Sequence, residues 1–142
     1  MNMNLIEKKI QQGDVILYKL KESVPDPGRF ASDVDGRVIL ALGETTGHEH
    51  NIISNHGALT LEPLTLASGP GLESAQDVIS GKLLRITQPT KLRHGHPGNY
   101  NTLSPEGVRL SHEMIELEVG DYIVRHRREY DFVENLERQV VD

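Results

Sequence analysis

The chain has 142 residues, a formal net charge of −6, and neither cysteine nor tryptophan. This length is typical of one domain, and the absence of cysteine excludes disulfides, thiolate nucleophiles and cysteine-based zinc sites. The negative charge argues against a general nucleic-acid-binding surface, although it leaves room for a local basic patch. No apolar run reaches the ~20 residues of a transmembrane helix, and the N-terminus lacks a signal-peptide core. We therefore expect a soluble, cytoplasmic domain with no membrane partner.

The first part of the chain alternates apolar runs with turn residues. Residues 1–12 suit either a short helical turn or an arm that pairs with a strand. Strands are predicted at 15–20 and 37–42, where β-branched and other apolar residues dominate. The segment 21–36 between them carries prolines and glycines and predicts a loop.

The middle of the chain continues this pattern. A glycine-framed turn over 43–50 leads into a strand that includes 51–53, and an alternating strand is predicted at 58–62. Residues 63–81 are rich in Ser, Gly and Pro, which is typical of a mobile loop or of a loop around a short strand. A further strand is predicted at 82–87, before Pro89.

The last part combines a long loop with a regular hairpin. Residues 90–107 contain several Gly and Pro residues and predict a surface excursion long enough to cover a site. Residues 114–130 alternate on both sides of Gly120 and predict a hairpin, and 133–142 suit a short helix or a flexible tail. Six to nine short strands with almost no helical periodicity predict one all-β domain over 1–142. Its expected architecture is a small barrel or sandwich with long loops.

His48 and His50 follow the second strand and the glycine-framed turn. If the chain continues as a strand after His50, both imidazoles point to the same face of a sheet. That arrangement suits a metal ion or a pair of acid and base groups. Thr46 and Gly47 in the turn offer a hydroxyl and backbone N–H groups, so we predict that they contact a substrate or a phosphate.

A catalytic metal site needs a third protein ligand. Three imidazoles, or two with a carboxylate, hold the metal and leave a position for water or substrate. We predict that His112 supplies the third ligand, because it stands at the entry to the predicted hairpin, and that Glu113 or Glu44 supplies the carboxylate. Without cysteine, the remaining ligand types suit zinc, manganese, iron, nickel or copper.

Four other histidines receive less specific predictions. His126 is a rival third ligand, although a half-buried histidine bonded to backbone is the favoured interpretation at the boundary between core and rim. His94 and His96 have Gly and Pro neighbours, which favours solvent-exposed loop residues, and whether they join the site stays open. His56 lies in a turn between Asn55 and Gly57 and receives the same interpretation.

A second constellation combines arginines, a histidine and a tyrosine. In a strand, His126, Arg128 and Tyr130 share one face, while Arg125 and Arg127 share the other. Arginines beside a histidine and a tyrosine can bind a phosphate and assist proton transfer, as metal-independent RNA cleavage requires. The alternative interpretation is a charged edge strand that resists aggregation.

His-x-His followed by a later histidine near a glycine-turned hairpin resembles the cupin arrangement, over roughly residues 37–130. The resemblance implies a metal inside a small β-barrel, held by His48, His50 and a later histidine. Cupins usually place a glutamate a few residues after His-x-His. Here Ile, Ser and Asn stand near that spacing, so Glu44, Glu49 or Glu113 would take its place.

A longer pattern resembles small bacterial proteins of no established activity. It runs from Gly-Glu-x-Thr-Gly-His-x-His at 43–50 through His112 and Glu113 to Gly-x-Tyr-x-Val at 120–124 and Arg-Glu-Tyr-Asp at 128–131. Because it spans most of the chain, it favours joint action of His48, His50 and His112.

These observations lead to three functional hypotheses. The first is metal-dependent hydrolytic or lyase-type chemistry on a small or phosphate-containing substrate. The second is a metal-independent endoribonuclease that uses histidines as general acid and base with an arginine phosphate clamp. The third is a non-catalytic β-domain that forms a homo-oligomer or docks a partner.

Overall fold

The computed structural model describes residues 5–42, 47–67, 78–100 and 113–127. These residues form ten β-strands and one turn of 3-10 helix, Ser54–His56. The strands are β1 (Ile6–Gln12), β2 (Val15–Leu20), β3 (Arg37–Leu42), β4 (Glu49–Ile53), β5 (Gly57–Leu59), β6 (Leu64–Ala67), β7 (Val78–Ile86), β8 (Thr90–Gly95), β9 (Ile115–Leu117) and β10 (Gly120–His126).

The strands are arranged in two antiparallel sheets. The larger sheet has the order β1-β2-β10-β7-β5, with β6 also paired to β7, and the smaller has the order β3-β4-β8-β9. The predicted all-β fold is confirmed. Of the two predicted architectures, the chain adopts packed sheets rather than a closed barrel.

The main core lies between the sheets, because alternate residues of each strand point inward. Both sheets contribute to it. Its buried members include Leu17, Leu84, Tyr122 and Val124 from the larger sheet and Leu40, Ile52, Leu92 and Leu117 from the smaller one.

A second apolar cluster lies on the opposite face of the larger sheet. Its buried members include Ile79, Leu83 and Ile123, and Leu64 and Leu66 of β6 pack against them. The central strands β7 and β10 are therefore apolar on both faces where they pair, at Leu83 and Leu84 and at residues 122–124.

The predicted hairpin over residues 114–130 is wrong. Its first strand, β9, pairs with β8, whereas β10 pairs with β2 and β7. Gly120 thus carries the chain from one sheet to the other. Alternation identifies the apolar face of each strand, but the choice of neighbouring strand depends on contacts distant in sequence.

Three loop or arm predictions are resolved. Residues 6–12 form a strand, which is the arm alternative, and residues 64–67 form the short strand inside the predicted loop 63–81. Residues 90–95 form β8, so the prediction of a surface excursion from Thr90 onward is wrong. The predicted helix or tail at 133–142 lies outside the described residues.

Tyr122 joins the core to the turn that precedes β10. Its side chain is fully buried, and its hydroxyl donates a 2.7 Å hydrogen bond to the Glu118 carbonyl oxygen. Burial raises the pKa of Tyr122 to about 12, with a further contribution from the Glu118 charge. The hydroxyl therefore stays protonated and acts as a donor throughout the physiological range.

We expect Tyr122→Phe to lower the free energy of unfolding by about 1 kcal/mol, because it removes one neutral hydrogen bond and keeps the ring. Urea denaturation at neutral pH measures this change. Tyr18→Phe is the control, because the described residues give the Tyr18 hydroxyl no hydrogen-bond partner. An equal loss in both variants would contradict the assigned role of the Tyr122 hydroxyl.

Candidate functional site

Strand pairing brings two His-x-His segments together. In the β4–β8 ladder, His50 is opposite His94 and Glu49 is opposite Gly95. The His50 and His94 rings are stacked with centroids 4.2 Å apart. His48 makes edge contacts with the rings of His94 at 5.7 Å and His96 at 6.3 Å. We call His48, His50, His94 and His96 the histidine cluster.

The histidine cluster extends from the core to the surface. His48, His50 and His94 are only 6%, 3% and 7% exposed, whereas His96 is exposed. His50 shares its strand face with Ile52, and His94 shares its face with Leu92, so both imidazoles continue the inner face of the sandwich. Three histidines are therefore buried at one end of the main core.

His94 differs most from its predicted role. The sequence favoured a solvated loop residue, but its side chain is buried beside His50. The Gly and Pro residues that suggested a loop begin one position after it, at Gly95. The alternation of Thr90, Leu92 and His94 was the signal that could have placed it on an inner face.

Gln12, at the end of β1, holds His50 from the opposite sheet. Its Nε2 donates to the carbonyl oxygens of Leu92 at 3.0 Å and Glu113 at 2.8 Å, and its Oε1 lies 2.9 Å from His50 Nδ1. Reversing the amide would place its oxygen against two carbonyl oxygens, so this orientation is fixed. The His50 ring must then donate from Nδ1, which leaves the lone pair of the neutral ring on Nε2.

His48 carries a buried nitrogen without a hydrogen-bond partner. Its Nδ1 has neither a protein partner nor solvent contact in the described structure. An unsatisfied buried nitrogen costs about 1–3 kcal/mol, so this nitrogen is a candidate position for a ligand or a proton partner.

Stacking also limits the charge that the cluster can carry. Simultaneous positive charges on His50 and His94, at the observed 4.2 Å, would repel by about 4 kcal/mol at an effective dielectric constant of about 20. The pair therefore favours at least one neutral imidazole, which is the form that accepts protons and binds metals.

A tight turn positions His96 over Gly47. The Asn99 N–H donates to the His96 carbonyl oxygen, and Gly98 at the third position has a φ of +89°. A Cβ on Gly47 would lie 2.8 Å from His96 Cδ2, and Gly47 itself has a φ of +84°. Gly47 thus allows close contact between the two segments that carry the His-x-His pairs.

A polar network supports the other face of β4. Arg37 binds both carboxylate oxygens of Glu49, at 2.6 Å and 3.1 Å, and Glu49 also accepts from Asn51 Nδ2 at 2.9 Å. Asn51 contacts the Tyr100 hydroxyl and accepts from Arg93, whose guanidinium lies over the Tyr100 ring. The hydrogen bond from Arg37 to Glu49 raises the pKa of Arg37 above its usual value. Because the Glu49 carboxylate binds Arg37 and Asn51 on this face of β4, it faces away from the histidine cluster.

The family model of a domain of unknown function, DUF8820, matches residues 11–127 of the chain. The chain belongs to the DUF8820 family. Neither the curated proteins nor the solved structures gave a significant match to it. In this DUF8820 chain, the matched region contains all four members of the histidine cluster and Gln12.

Several residues predicted for the site of this DUF8820 chain lie outside the described residues. These are Thr46, His112, Arg128 and Tyr130. Glu113 is described, and its carbonyl oxygen accepts from Gln12 although its side chain is exposed. Glu113, which follows His112 in the sequence, thus contacts Gln12, which holds His50.

Two further predicted residues of the DUF8820 chain, Arg125 and His126, lie in β10. His126 is half-buried, and its Nε2 donates to the Leu40 carbonyl oxygen at 2.9 Å, which confirms the favoured interpretation of a histidine bonded to backbone. Arg125 donates to the Ser80 carbonyl oxygen at 3.2 Å. His56 lies in the 3-10 turn and, like His48, has a buried Nδ1 without a partner.

Among the described residues, no three His, Asp or Glu side chains are placed to hold a metal ion together. Of the three metal ligands predicted from the sequence, His48 and His50 are described, and His112 lies outside the described residues.

No helix in the described part of the DUF8820 chain is long and apolar enough to cross a membrane.

Proposed function

We propose that this chain is a metal-dependent enzyme that carries out hydrolytic or lyase-type chemistry on a small or phosphate-containing substrate. His48, His50 and His112 are the proposed ligands of a divalent metal such as zinc, manganese, iron or nickel. The observation that carries this proposal is the contact between the two His-x-His segments at one end of the core.

The described members of the ligand set fit a metal in three respects. Gln12 directs the lone pair of His50 to Nε2, as outer-sphere hydrogen bonds do in metal sites. His48 has a buried nitrogen without a partner. All donors are imidazoles, which suit zinc, iron and nickel.

A bound divalent metal would supply an activated water or polarise a substrate oxygen. The protein groups have separate tasks. Gln12 keeps the His50 ring in one orientation, and the buried position of His48 excludes bulk water from the inner end of the site. His94 and His96 provide imidazoles that can move protons between the interior and the surface. Thr46 and the Gly47 backbone are proposed to contact the substrate.

The test is elemental analysis of tag-free protein, as purified and after incubation with each divalent ion. We expect about one metal ion per wild-type chain and less than about a tenth of that in His48→Ala/His50→Ala. His56→Ala is the matched control, because His56 also has a buried, unpartnered Nδ1 but lies outside the histidine cluster. Circular dichroism establishes that the variants are folded.

Absence of metal from the wild-type protein under every loading condition would overturn the proposal. Retention of metal by the double variant would overturn the ligand assignment. In the first case, RNA cleavage in the presence of a chelator tests the ribonuclease hypothesis, which requires loss of activity in His48→Ala and His112→Ala. Unchanged behaviour in every assay would favour a non-catalytic domain.

A further inference from the structure

β7 separates from β10 halfway along its length. The two strands pair from Ile86, opposite Gly120, to Lys82, opposite Val124. From Gly81 back to Val78, β7 pairs with β6. Arg125 and His126 of β10 therefore continue past the point where the ladder with β7 ends.

Gly81 makes this separation possible. Its φ is +157°, and a Cβ at this position would lie 2.5 Å from the Val124 carbonyl oxygen and 2.7 Å from Ile123 Cγ2. Such distances are excluded for a real side chain, so only glycine lets β7 bend here against β10.

A cleft of about 390 Å³ opens at the divergence. This volume is at the lower end of the ~300–1,000 Å³ range of small-molecule sites. Its apolar wall combines strands from both sheets and the segment after β5, and consists of Ile39, Leu40, Leu59, Pro63 and Val124. We call this space the β7–β10 cleft.

The described polar residues of the β7–β10 cleft are basic or neutral. Lys82, Arg125 and His126 line it together with Ser80, and none of the lining residues that the structure describes is acidic. In the part of the chain that the structure describes, the ion pairs involve other cations, and no carboxylate lies within 4.0 Å of the Lys82 or Arg125 cationic group. In a chain with a net charge of −6, two cations that have no carboxylate partner among the described residues and lie beside one apolar cleft favour a negative ligand.

We propose that the β7–β10 cleft binds a small amphiphilic anion, with an apolar body against Leu40, Leu59 and Val124 and a carboxylate or phosphate head between Lys82 and Arg125. Apolar burial supplies affinity, and the two cations supply the preference for charge. This site uses no member of the histidine cluster, so it does not depend on the proposed metal chemistry.

Hexanoate and hexyl phosphate are the probes, with hexanol as the neutral analogue, and all titrations contain a chelator. We expect saturable changes in the backbone amide NMR signals of Leu40, Gly81 and Val124, with a Kd below about 1 mM for one or both anions. Hexanol should bind at least about tenfold more weakly. The two anions distinguish a carboxylate head from a phosphate head.

Lys82→Gln/Arg125→Gln should weaken binding of the preferred anion about tenfold or more. Lys9→Gln/Lys91→Gln is the matched control, because it removes the same charge from two exposed lysines that do not line the cleft. Equal weakening in both double variants, equal binding of hexanol, or signal changes that map elsewhere would each overturn the proposal. Circular dichroism ensures that the compared variants are folded.

Discussion

Gln12→Leu should lower the stability of the protein and, at the proposed metal site, its affinity for metal. The substitution removes an acceptor for His50 Nδ1 and two donors to the Leu92 and Glu113 carbonyl oxygens. Buried polar groups left without partners cost about 1–3 kcal/mol each, and Glu113 can recover a bond to water. We therefore expect a loss of about 3 kcal/mol in the free energy of unfolding.

The affinity should fall because His50 is released from its fixed tautomer and ring orientation. Loss of an outer-sphere hydrogen bond to a metal-binding histidine typically costs about 10–100-fold in affinity, and we expect a change in this range. Competition with a chromophoric chelator for zinc measures the affinity, and urea denaturation measures the stability.

Gln12→Glu separates the two effects. A carboxylate still accepts from His50 Nδ1, but it cannot donate to the carbonyl oxygens of Leu92 and Glu113. We expect a loss of stability close to that of Gln12→Leu, with metal affinity within about threefold of the wild type. Gln11→Leu is the matched control, since Gln11 is exposed and, within the described structure, its side chain bonds only to the nearby Gly13 carbonyl oxygen. Unchanged metal affinity in Gln12→Leu would rule out an orienting role.

Asp121→Asn should destabilise the protein by about 3 kcal/mol at neutral pH. The Asp121 carboxylate is 3% exposed and accepts two hydrogen bonds from Arg85, at 2.9 and 2.8 Å, and one from the Val24 N–H at 2.8 Å. Arg85 also donates to the Val24 carbonyl oxygen. An Asn side chain would direct an NH₂ group at one of these donors and leave the partly buried Arg85 guanidinium without a counter-charge.

The effect of Asp121→Asn should depend on pH. Burial raises the Asp121 pKa, but the hydrogen bonds from Arg85 and Val24 and the Arg85 charge outweigh it, so the pKa is lowered. A carboxyl whose pKa is lower in the folded state stabilises the fold above its unfolded-state pKa. That contribution is lost as the pH falls through the folded-state value.

The stability difference between wild type and Asp121→Asn should therefore shrink below about pH 4. Urea denaturation from pH 7 to pH 3 measures it. Asp33→Asn is the control, because Asp33 is exposed and forms no ion pair in the described structure. A difference that stays constant to pH 3 would show that the Asp121 charge is not the source of the stabilisation.

The sequence predicted the two early strands well, and their bounds, Val15–Leu20 and Arg37–Leu42, match those expected. Each is a run of apolar residues between turn signals, so local preference and burial agree there. The prediction that His48 and His50 share a face rests on the same local geometry, since period-two alternation needs no knowledge of the neighbouring strands.

The partners of these histidines could not be predicted in the same way. Contact between His50 and His94 depends on the β4–β8 register, and contact with Gln12 depends on the packing of one sheet on the other. Both relations join residues about 40 positions apart or more. Gln12 gave no local signal, because a glutamine before a turn is usually exposed.

The central position of β10 also determines when the larger sheet can be completed during synthesis. This strand follows all the other described strands in the chain, yet it lies between β2 and β7. Until residues 120–126 leave the ribosome, β2 and β7 each present an open edge of unpaired N–H and C=O groups. Nascent chains should therefore depend on chaperones or rapid completion of synthesis to avoid pairing with one another.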